Sequence, residues 1–116
     1  MTAHPSGVAA EELAACYLAA QGLRVVARNY RCRFGEIDLI ARDGEVLVFV
    51  EVRLRRGSRF GGALASITPA KQRKLVATAR CYLAGLRGEP ACRFDAILLD
   101  ALDAERIEWL RDIIGG

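Results

Sequence analysis

The order of hydrophobic and polar positions along the chain predicts two helices and several extended segments. In residues 8–21 and again in 69–86, apolar side chains recur every three or four positions, as on one face of an amphipathic helix. The other apolar segments are short, rich in valine, isoleucine, leucine and phenylalanine, and bounded by turn residues. They are residues 23–30, 35–42, 45–54, 93–100 and 106–110. The pattern predicts an α/β fold in the order α-β-β-β-α-β-β, with helices flanking a mixed central β-sheet.

Local signals indicate where the predicted helices begin and end. Gly22 directly follows the first helix, and glycine is common just after a helix C-terminus. Thr68 is a suitable N-cap for the second helix, and Pro69 fits its first position, where no N–H is needed. The predicted buried face of that helix consists of Leu75, Val76, Ala79, Tyr82, Leu83 and Leu86.

Residues 35–54 predict a hairpin with one acidic face. Asp43 and Gly44 form a dipeptide that favours a two-residue turn, which would pair Arg42 with Glu45. The next opposed pairs would be Ile40–Leu47, Asp38–Phe49, Glu36–Glu51 and Phe34–Arg53. Because side chains alternate along a strand, acidic and apolar residues would separate onto opposite faces. The acidic face would carry Glu36, Asp38, Glu51 and Arg53, and the apolar wall Ile37, Leu39, Ala41, Val46, Val48, Val50 and Val52.

The acidic face has two interpretations. As diagonal neighbours, Asp38 and Glu51 would be able to hold one cation, and Glu36 opposite Glu51 would cost stability without a positive charge between them. Oxygen ligands with no nearby His or Cys favour Mg²⁺ or Mn²⁺. Alternatively, this is an ordinary solvated face on which Arg53 or Arg55 pairs with Glu51. Apolar residues on the same face predict that part of it is covered; they are Ile40, Leu47 and Phe49.

The composition is that of one globular domain. The chain has 116 residues, 53% of them hydrophobic, which suffices for a single core across 1–116, with 1–7 expected to form a flexible N-terminus. No apolar run is long enough to span a membrane, and the start does not resemble a secretory signal. Scattered cysteines and a single histidine argue against zinc and favour free, buried thiols in a reducing cytoplasm. These residues are Cys16, Cys32, Cys81, Cys92 and His4.

The charge distribution is more informative than the net charge of +3. Residues 52–88 contain basic side chains and no acid, whereas acids outnumber bases from Glu89 onward. Such asymmetry favours a surface that faces a polyanion, and a nucleic-acid backbone is the commonest one. A solvated, arginine-rich surface is an equally simple explanation. The basic side chains of the segment are Arg53, Arg55, Arg56, Arg59, Lys71, Arg73, Lys74, Arg80 and Arg87.

Several motifs in one order resemble a known family. The hairpin reads G-E-I-D-L-I-A-R-D-G and then L-V-F-V-E-V-R. Before it come A-E-E-L-A-A-C-Y-L and R-N-Y-R-C-R, and after it F-G-G-A, T-P-A-K-Q-R-K-L and R-F-D-A-I-L-L-D. Together these motifs closely resemble the YraN-like family of uncharacterised bacterial proteins, over most of the chain.

The resemblance implies a restriction-endonuclease-like fold, similar to that of archaeal Holliday-junction resolvases. The nuclease signature of that fold is PD-(D/E)xK. Asp38 matches its Asp, with Ile37 in place of Pro, and Glu51 matches the second acid. Glu11 in A-E-E-L matches a glutamate that the resolvases use in their first helix. The signature Lys falls on Arg53, which keeps the positive charge but cannot lose a proton at any working pH.

Two functions follow from the residues and the resemblance together. One is a Mg²⁺- or Mn²⁺-dependent endonuclease acting on structured or branched DNA, with Glu11, Asp38, Glu51 and Arg53 at the site. The other is a catalytically inactive module that binds nucleic acid with the same fold. In both, Lys71 and Lys74 would contact phosphates, and Arg55, Arg56 and Arg59 would close over the nucleic acid. A resolvase-like arrangement also implies a homodimer, and a protein that only binds other proteins is a third possibility.

Overall fold

A computed structural model of the protein describes residues 5–54, 67–99 and 106–114. Within these ranges, two helices and five strands follow one another in the predicted order α-β-β-β-α-β-β. The helices are α1 (Pro5–Ala20) and α2 (Pro69–Ala84). The strands are β1 (Arg24–Cys32), β2 (Gly35–Asp43), β3 (Val46–Leu54), β4 (Cys92–Leu99) and β5 (Ile107–Leu110). The first helix begins earlier than predicted, at Pro5 rather than Val8.

The strands form one mixed sheet in the order β1-β2-β3-β4-β5. The β1–β2, β2–β3 and β4–β5 neighbours are antiparallel, whereas β3 and β4 are parallel. A parallel pair needs a long crossover, and α2 lies in the segment that joins these two strands. The α/β class predicted from the sequence pattern is therefore confirmed.

Each face of the sheet packs against one helix. On the first face, small residues of α1 allow close approach to Leu39, Val48 and Val50, in a cluster completed by Ile97 and Leu99. The α1 residues that this cluster buries are Ala10, Ala14, Ala15 and Leu18. On the second face, Leu75 and Ala79 of α2 pack against Ile37, Ile40, Leu47, Phe49, Ala96 and Leu98. The prediction that apolar residues beside the acids are covered is confirmed, because α2 covers them.

The N-terminus of α2 has the predicted cap. Thr68 has an extended conformation, with φ −68° and ψ 164°, and its hydroxyl accepts a hydrogen bond from the Lys71 N–H at 3.2 Å. Pro69 is the first residue of the helix. This capped turn carries Lys71 and Lys74 at its exposed surface.

The predicted register of the hairpin is wrong by two residues. Asp43 pairs with Val46, so Gly44 and Glu45 form the loop, and Ile40 pairs with Phe49. Gly44 has a φ of 63°, which matches a turn whose first loop residue, usually glycine, needs a positive φ. In the predicted loop, Asp43 comes first and Gly44 second, whereas in the structure Gly44 comes first. The shift preserves the parity of the pairing, so most side chains keep their predicted face.

Ile37 is an exception to the predicted apolar wall. It packs in the cluster on the α2 face, together with Ile40, rather than beside Leu39 and Ala41. The alternation breaks between Ile37 and Leu39, where the neighbouring strand β1 contains Asn29 with a φ of 51°. This irregularity lies at Asp38, the first residue of the candidate site.

No helix among the described residues is both long enough and apolar enough to cross a membrane.

Candidate functional site

Asp38 and Glu51 lie where the pairing between β2 and β3 ends. The last observed pair is Leu39–Val50, so the two acids are the next residues on the two strands. Asp38 Oδ2 accepts a hydrogen bond from the Val52 N–H at 2.8 Å. A side chain therefore takes the place of a strand carbonyl at this point, which fixes the Asp38 carboxyl beside β3. The two acids are nearer to each other than the diagonal positions predicted.

The electrostatic environment of Asp38 is unfavourable for a negative charge. Burial, followed by repulsion from Glu51 and a hydrogen bond to the Glu51 carboxylate, raises the pKa of Asp38 to about 8. The Val52 N–H and the Arg53 guanidinium only partly oppose this increase. Asp38 therefore keeps its proton near neutral pH. A cation placed between the carboxylates would replace that proton.

Arg53 already contacts one of the two acids. Its Nη2 lies 2.6 Å from Glu51 Oε2, and both side chains are largely shielded from solvent, at 28% and 12% exposure. This ion pair confirms the predicted pairing of Arg53 with Glu51, but the two side chains do not form the solvated face that this alternative expected. Among the described residues, no group accepts a hydrogen bond from the buried Arg53 Nε. A buried guanidinium N–H of this kind is available to an incoming anion.

Glu11 of α1 is brought close to Asp38. Burial, followed by repulsion from Asp38, raises the pKa of Glu11, while a hydrogen bond from the Asn29 side chain and the charge of Arg28 oppose the increase. Asn29 has a left-handed conformation and lies opposite Asp38, because its neighbours Arg28 and Tyr30 pair with Leu39 and Ile37. Glu11 is therefore near Asp38 and bonded to Asn29, a residue that the sequence interpretation did not include.

Glu36 does not face Glu51, contrary to the predicted register. It pairs with Arg31 of β1, and Arg31 Nε lies 2.9 Å from Glu36 Oε2. Both side chains are exposed, at 75% and 53%. The predicted repulsion between Glu36 and Glu51 is therefore wrong, because the two-residue shift of the hairpin changes both partners. Glu36 still lines the same cavity as Asp38.

An open cavity of about 350 Å³ joins these acids to basic residues of α2. Asp38, Glu51 and Arg53 line one side of it, and Lys71 and Lys74 line another. The lysines are exposed and contribute positive charge at the rim. The structure thus brings the predicted phosphate-binding lysines and the predicted acids to one place. Arg55, Arg56 and Arg59, predicted to close over nucleic acid, lie outside the described residues.

A second buried carboxylate, that of Asp95, belongs to the packing of the sheet. It is fully buried, and its oxygens accept hydrogen bonds from Arg93 Nε, Trp109 Nε1 and the Asp112 N–H at 2.9–3.2 Å. These three partners account for both oxygens. Asp95 therefore stabilises β4 against β5 and the segment after it, in contrast to the strained pair at Asp38.

Comparison with known proteins places this chain in a family. A model described as "Uncharacterised protein family UPF0102" matches residues 10–99, which include the acids, the hairpin and α2. The chain belongs to the UPF0102 family. The YraN-like resemblance seen in the motifs is thereby confirmed.

Similar UPF0102 proteins span almost the whole chain. One from Nitrosospira multiformis is 58% identical over 112 residues, covering 97% of this chain and 94% of its own length. One from Ralstonia nicotianae is 60% identical over 115 residues, covering 95% and 86% respectively. A protein from Nitrosomonas europaea is 56% identical over 106 residues. Each covers well over two thirds of both chains, so the relation extends beyond the hairpin motif.

The donor set of this UPF0102 site suits Mg²⁺ better than a metal that needs many protein ligands. In the described ranges, no three His, Cys, Asp or Glu side chains are grouped closely enough to hold a metal ion. Magnesium is commonly held by one or two carboxylates, with waters and substrate phosphates completing its coordination. The Asp38–Glu51 pair, strained by its own charge, fits that requirement.

Proposed function

We propose that this UPF0102 protein is a Mg²⁺-dependent endonuclease that hydrolyses phosphodiester bonds in structured or branched DNA, on a restriction-endonuclease-like fold. One observation carries the proposal. Two mutually repelling carboxylates, Asp38 and Glu51, share an open cavity with Arg53, Lys71 and Lys74. Metal-assisted cleavage of a polyanion needs carboxylates that hold the metal ion and, beside them, basic residues that bind the phosphates.

In the proposed site, Asp38 and Glu51 would hold the metal ion. When bound, Mg²⁺ polarises a phosphate and acidifies a water molecule. The protein contributes placement, because the Val52 N–H fixes the Asp38 carboxyl at the edge of the hairpin. Binding of the ion requires loss of the proton that burial and Glu51 retain on Asp38.

Basic residues would bind the phosphates on either side of the scissile bond. Arg53 presents a planar guanidinium whose buried Nε lacks an acceptor among the described residues, which suits a phosphate oxygen. Lys71 and Lys74 lie at the rim, where they would contact the backbone of the nucleic acid. Glu11, whose pKa is raised chiefly by burial and Asp38, would accept a proton from water at its carboxylate.

A second candidate function is supported by the Arg53–Glu51 contact. An arginine bound to Glu51 at 2.6 Å competes with a cation for that carboxylate. A lysine, the usual residue of the signature, would be shorter and would not form the same planar contact. This observation favours a catalytically inactive module that binds nucleic acid through the same cavity.

The nuclease and the inactive binding module predict different effects of Arg53 substitutions on DNA cleavage. Cleavage of linear, flap and four-way DNA would be measured in Mg²⁺ and in Mn²⁺ for the wild type, Arg53→Lys and Arg53→Ala. For a nuclease we expect Lys to be at least as active as Arg. Loss of the charge in Arg53→Ala should lower the rate by about 10²–10³. Arg31→Ala is a matched control, because Arg31 pairs with the exposed Glu36 at the same end of the sheet.

The outcomes separate the proposals. Cleavage by Arg53→Lys but not by the wild type would identify an inactivated nuclease. If no variant cuts any substrate with either metal while all bind DNA, the nuclease proposal is wrong and the binding module remains. DNA binding and thermal stability of each variant would show that loss of the Glu51 partner has not unfolded the protein.

A further inference from the structure

Cys32 and Cys81 meet at one point of the fold although they are far apart in the chain. Cys32 is the last residue of β1, and Cys81 is in α2, the helix that packs on the second face of the sheet. Next to them, the Tyr30 and Tyr82 rings pack edge to face with centroids 5.2 Å apart. This contact holds the end of β1 against the same turn of α2. Each thiol also alters the pKa of the other, as expected of close neighbours.

The turn that follows Cys32 lies against α2 with little free space. Gly35 pairs with Cys32 across the strands, and a Cβ at Gly35 would lie 3.2 Å from the Thr78 hydroxyl. A side chain at this position would require Thr78 to shift by a few tenths of an ångström. The backbone that carries Cys32 is therefore already in contact with the helix that carries Cys81.

The surroundings give the two sulfur atoms different properties. The Phe34 N–H donates to Cys32 Sγ at 3.4 Å. Burial opposes ionisation of Cys32, but this N–H, the Cys81 and Thr78 side chains and the Gly35 backbone together lower the pKa of its thiol. Cys81 donates to Cys32, and this interaction, followed by burial, raises the pKa of Cys81. Cys32 is thus the more nucleophilic sulfur and Cys81 the neighbouring thiol.

We propose that Cys32 and Cys81 form a redox modification site that small-molecule disulfides convert into an intramolecular disulfide. The Cys32 thiolate attacks the reagent, forms a mixed disulfide and releases one reagent thiolate. Cys81 then loses its proton to solvent and attacks the Cys32 sulfur, and the second reagent thiolate leaves. One S–S bond forms in the protein and one breaks in the reagent, which is reduced to two thiols.

Oxidation of Cys32 and Cys81 would take place next to the cavity of the candidate site. Gly35 and Lys74 both line that cavity. Gly35 lies in the turn after Cys32, close to Lys74 on the helix that carries Cys81. A bond between Cys32 and Cys81 would fix the turn before β2 to the protein's second helix and limit their separation. The proposal itself does not depend on nuclease activity.

The test uses a protein in which Cys16→Ser and Cys92→Ser remove the two exposed thiols. After incubation with oxidised glutathione, we expect loss of both remaining thiols and no glutathione adduct. Digestion with trypsin without reduction should yield residues 32–33 linked to residues 81–87. In the same background, Cys81→Ser should stop at a stable glutathione adduct on Cys32.

Three results would overturn the proposal. They are persistence of both free thiols, a glutathione adduct on Cys32 that Cys81 does not displace, and disulfides formed only between molecules. Circular dichroism before oxidation verifies that the background protein is folded. If the background protein is not folded, the wild type is oxidised instead, its free thiols are alkylated and it is digested with trypsin. The same linked peptides then support the proposal, and their absence overturns it.

Discussion

At the scale of single residues, the unfavourable charge on Asp38 has a measurable effect on stability. An aspartate has a pKa of about 4 in an unfolded chain, whereas burial and Glu51 raise it to about 8 in this fold. Between these values the folded state binds the extra proton, so stability falls as pH rises, and the loss is complete above the higher pKa. Asp38→Asn removes the charge and keeps an oxygen that accepts from the Val52 N–H.

We therefore expect Asp38→Asn to match the wild type near pH 4 and to exceed its unfolding free energy by up to about 5 kcal/mol at pH 9. Urea denaturation of both proteins across this range measures the difference. Glu36→Gln is the control, because Glu36 is an exposed acid of the same cavity that pairs with Arg31. A difference that does not vary with pH would mean that Asp38 ionises normally and that the pair is not strained.

The identity of the site residues could be inferred from the sequence, but their partners could not. Acids within an apolar hairpin are visible in the sequence, so Asp38 and Glu51 were found together with Arg53. The hydrogen bond between Asn29 and Glu11 depends on the left-handed φ of 51° at Asn29 and on the position of α1. Neither feature produces a periodic pattern or a motif in the sequence. Asparagine is one of the few residues that adopt this conformation readily, and that preference was the only available signal.

At the scale of elements, the helix cap was predictable and the hairpin register was not. Thr68 and Pro69 act on backbone groups within one turn of the helix, so a local pattern suffices. The register depends on which loop position Gly44 occupies, and a glycine fits either position of a two-residue loop. The structure places it first, and this choice brings Asp38 and Glu51 closer than the predicted diagonal arrangement.

Two alanine substitutions test this turn. Gly44 has a φ of 63°, and a Cβ added there would have no atom within 4 Å, so Gly44→Ala adds backbone strain without a clash. We expect a loss of about 1–2 kcal/mol in unfolding free energy, the usual cost of a left-handed conformation. Gly85→Ala is the matched control, since Gly85 ends α2 with a φ of −85° and its Cβ would make an ordinary contact. Equal effects of the two substitutions would contradict the observed turn.

At the scale of the whole molecule, topology brings together residues that no local pattern relates. Cys32 and Cys81 were interpreted as separate buried thiols because nothing in their spacing indicates a contact. Their meeting depends on α2 crossing from β3 to β4 over the face that contains Tyr30. The cysteines also differ in exposure, with Cys16 and Cys92 exposed, so the prediction that all four are buried is wrong.

The charge asymmetry of the whole molecule leads to the last prediction, which concerns binding to DNA without chemistry. Lys71 lies at the rim of the acidic cavity, whereas Arg24 is at the other end of β1, paired across the strands with Arg42. If the cavity faces a phosphate backbone, Lys71→Ala should weaken binding to all sequences about equally and reduce the log–log salt slope by about 0.9. Arg24→Ala, the matched control, should leave that slope unchanged. Affinities measured by fluorescence anisotropy at several salt concentrations give both slopes. Equal slopes for the wild type and both variants would mean that the cavity rim does not contact DNA phosphates.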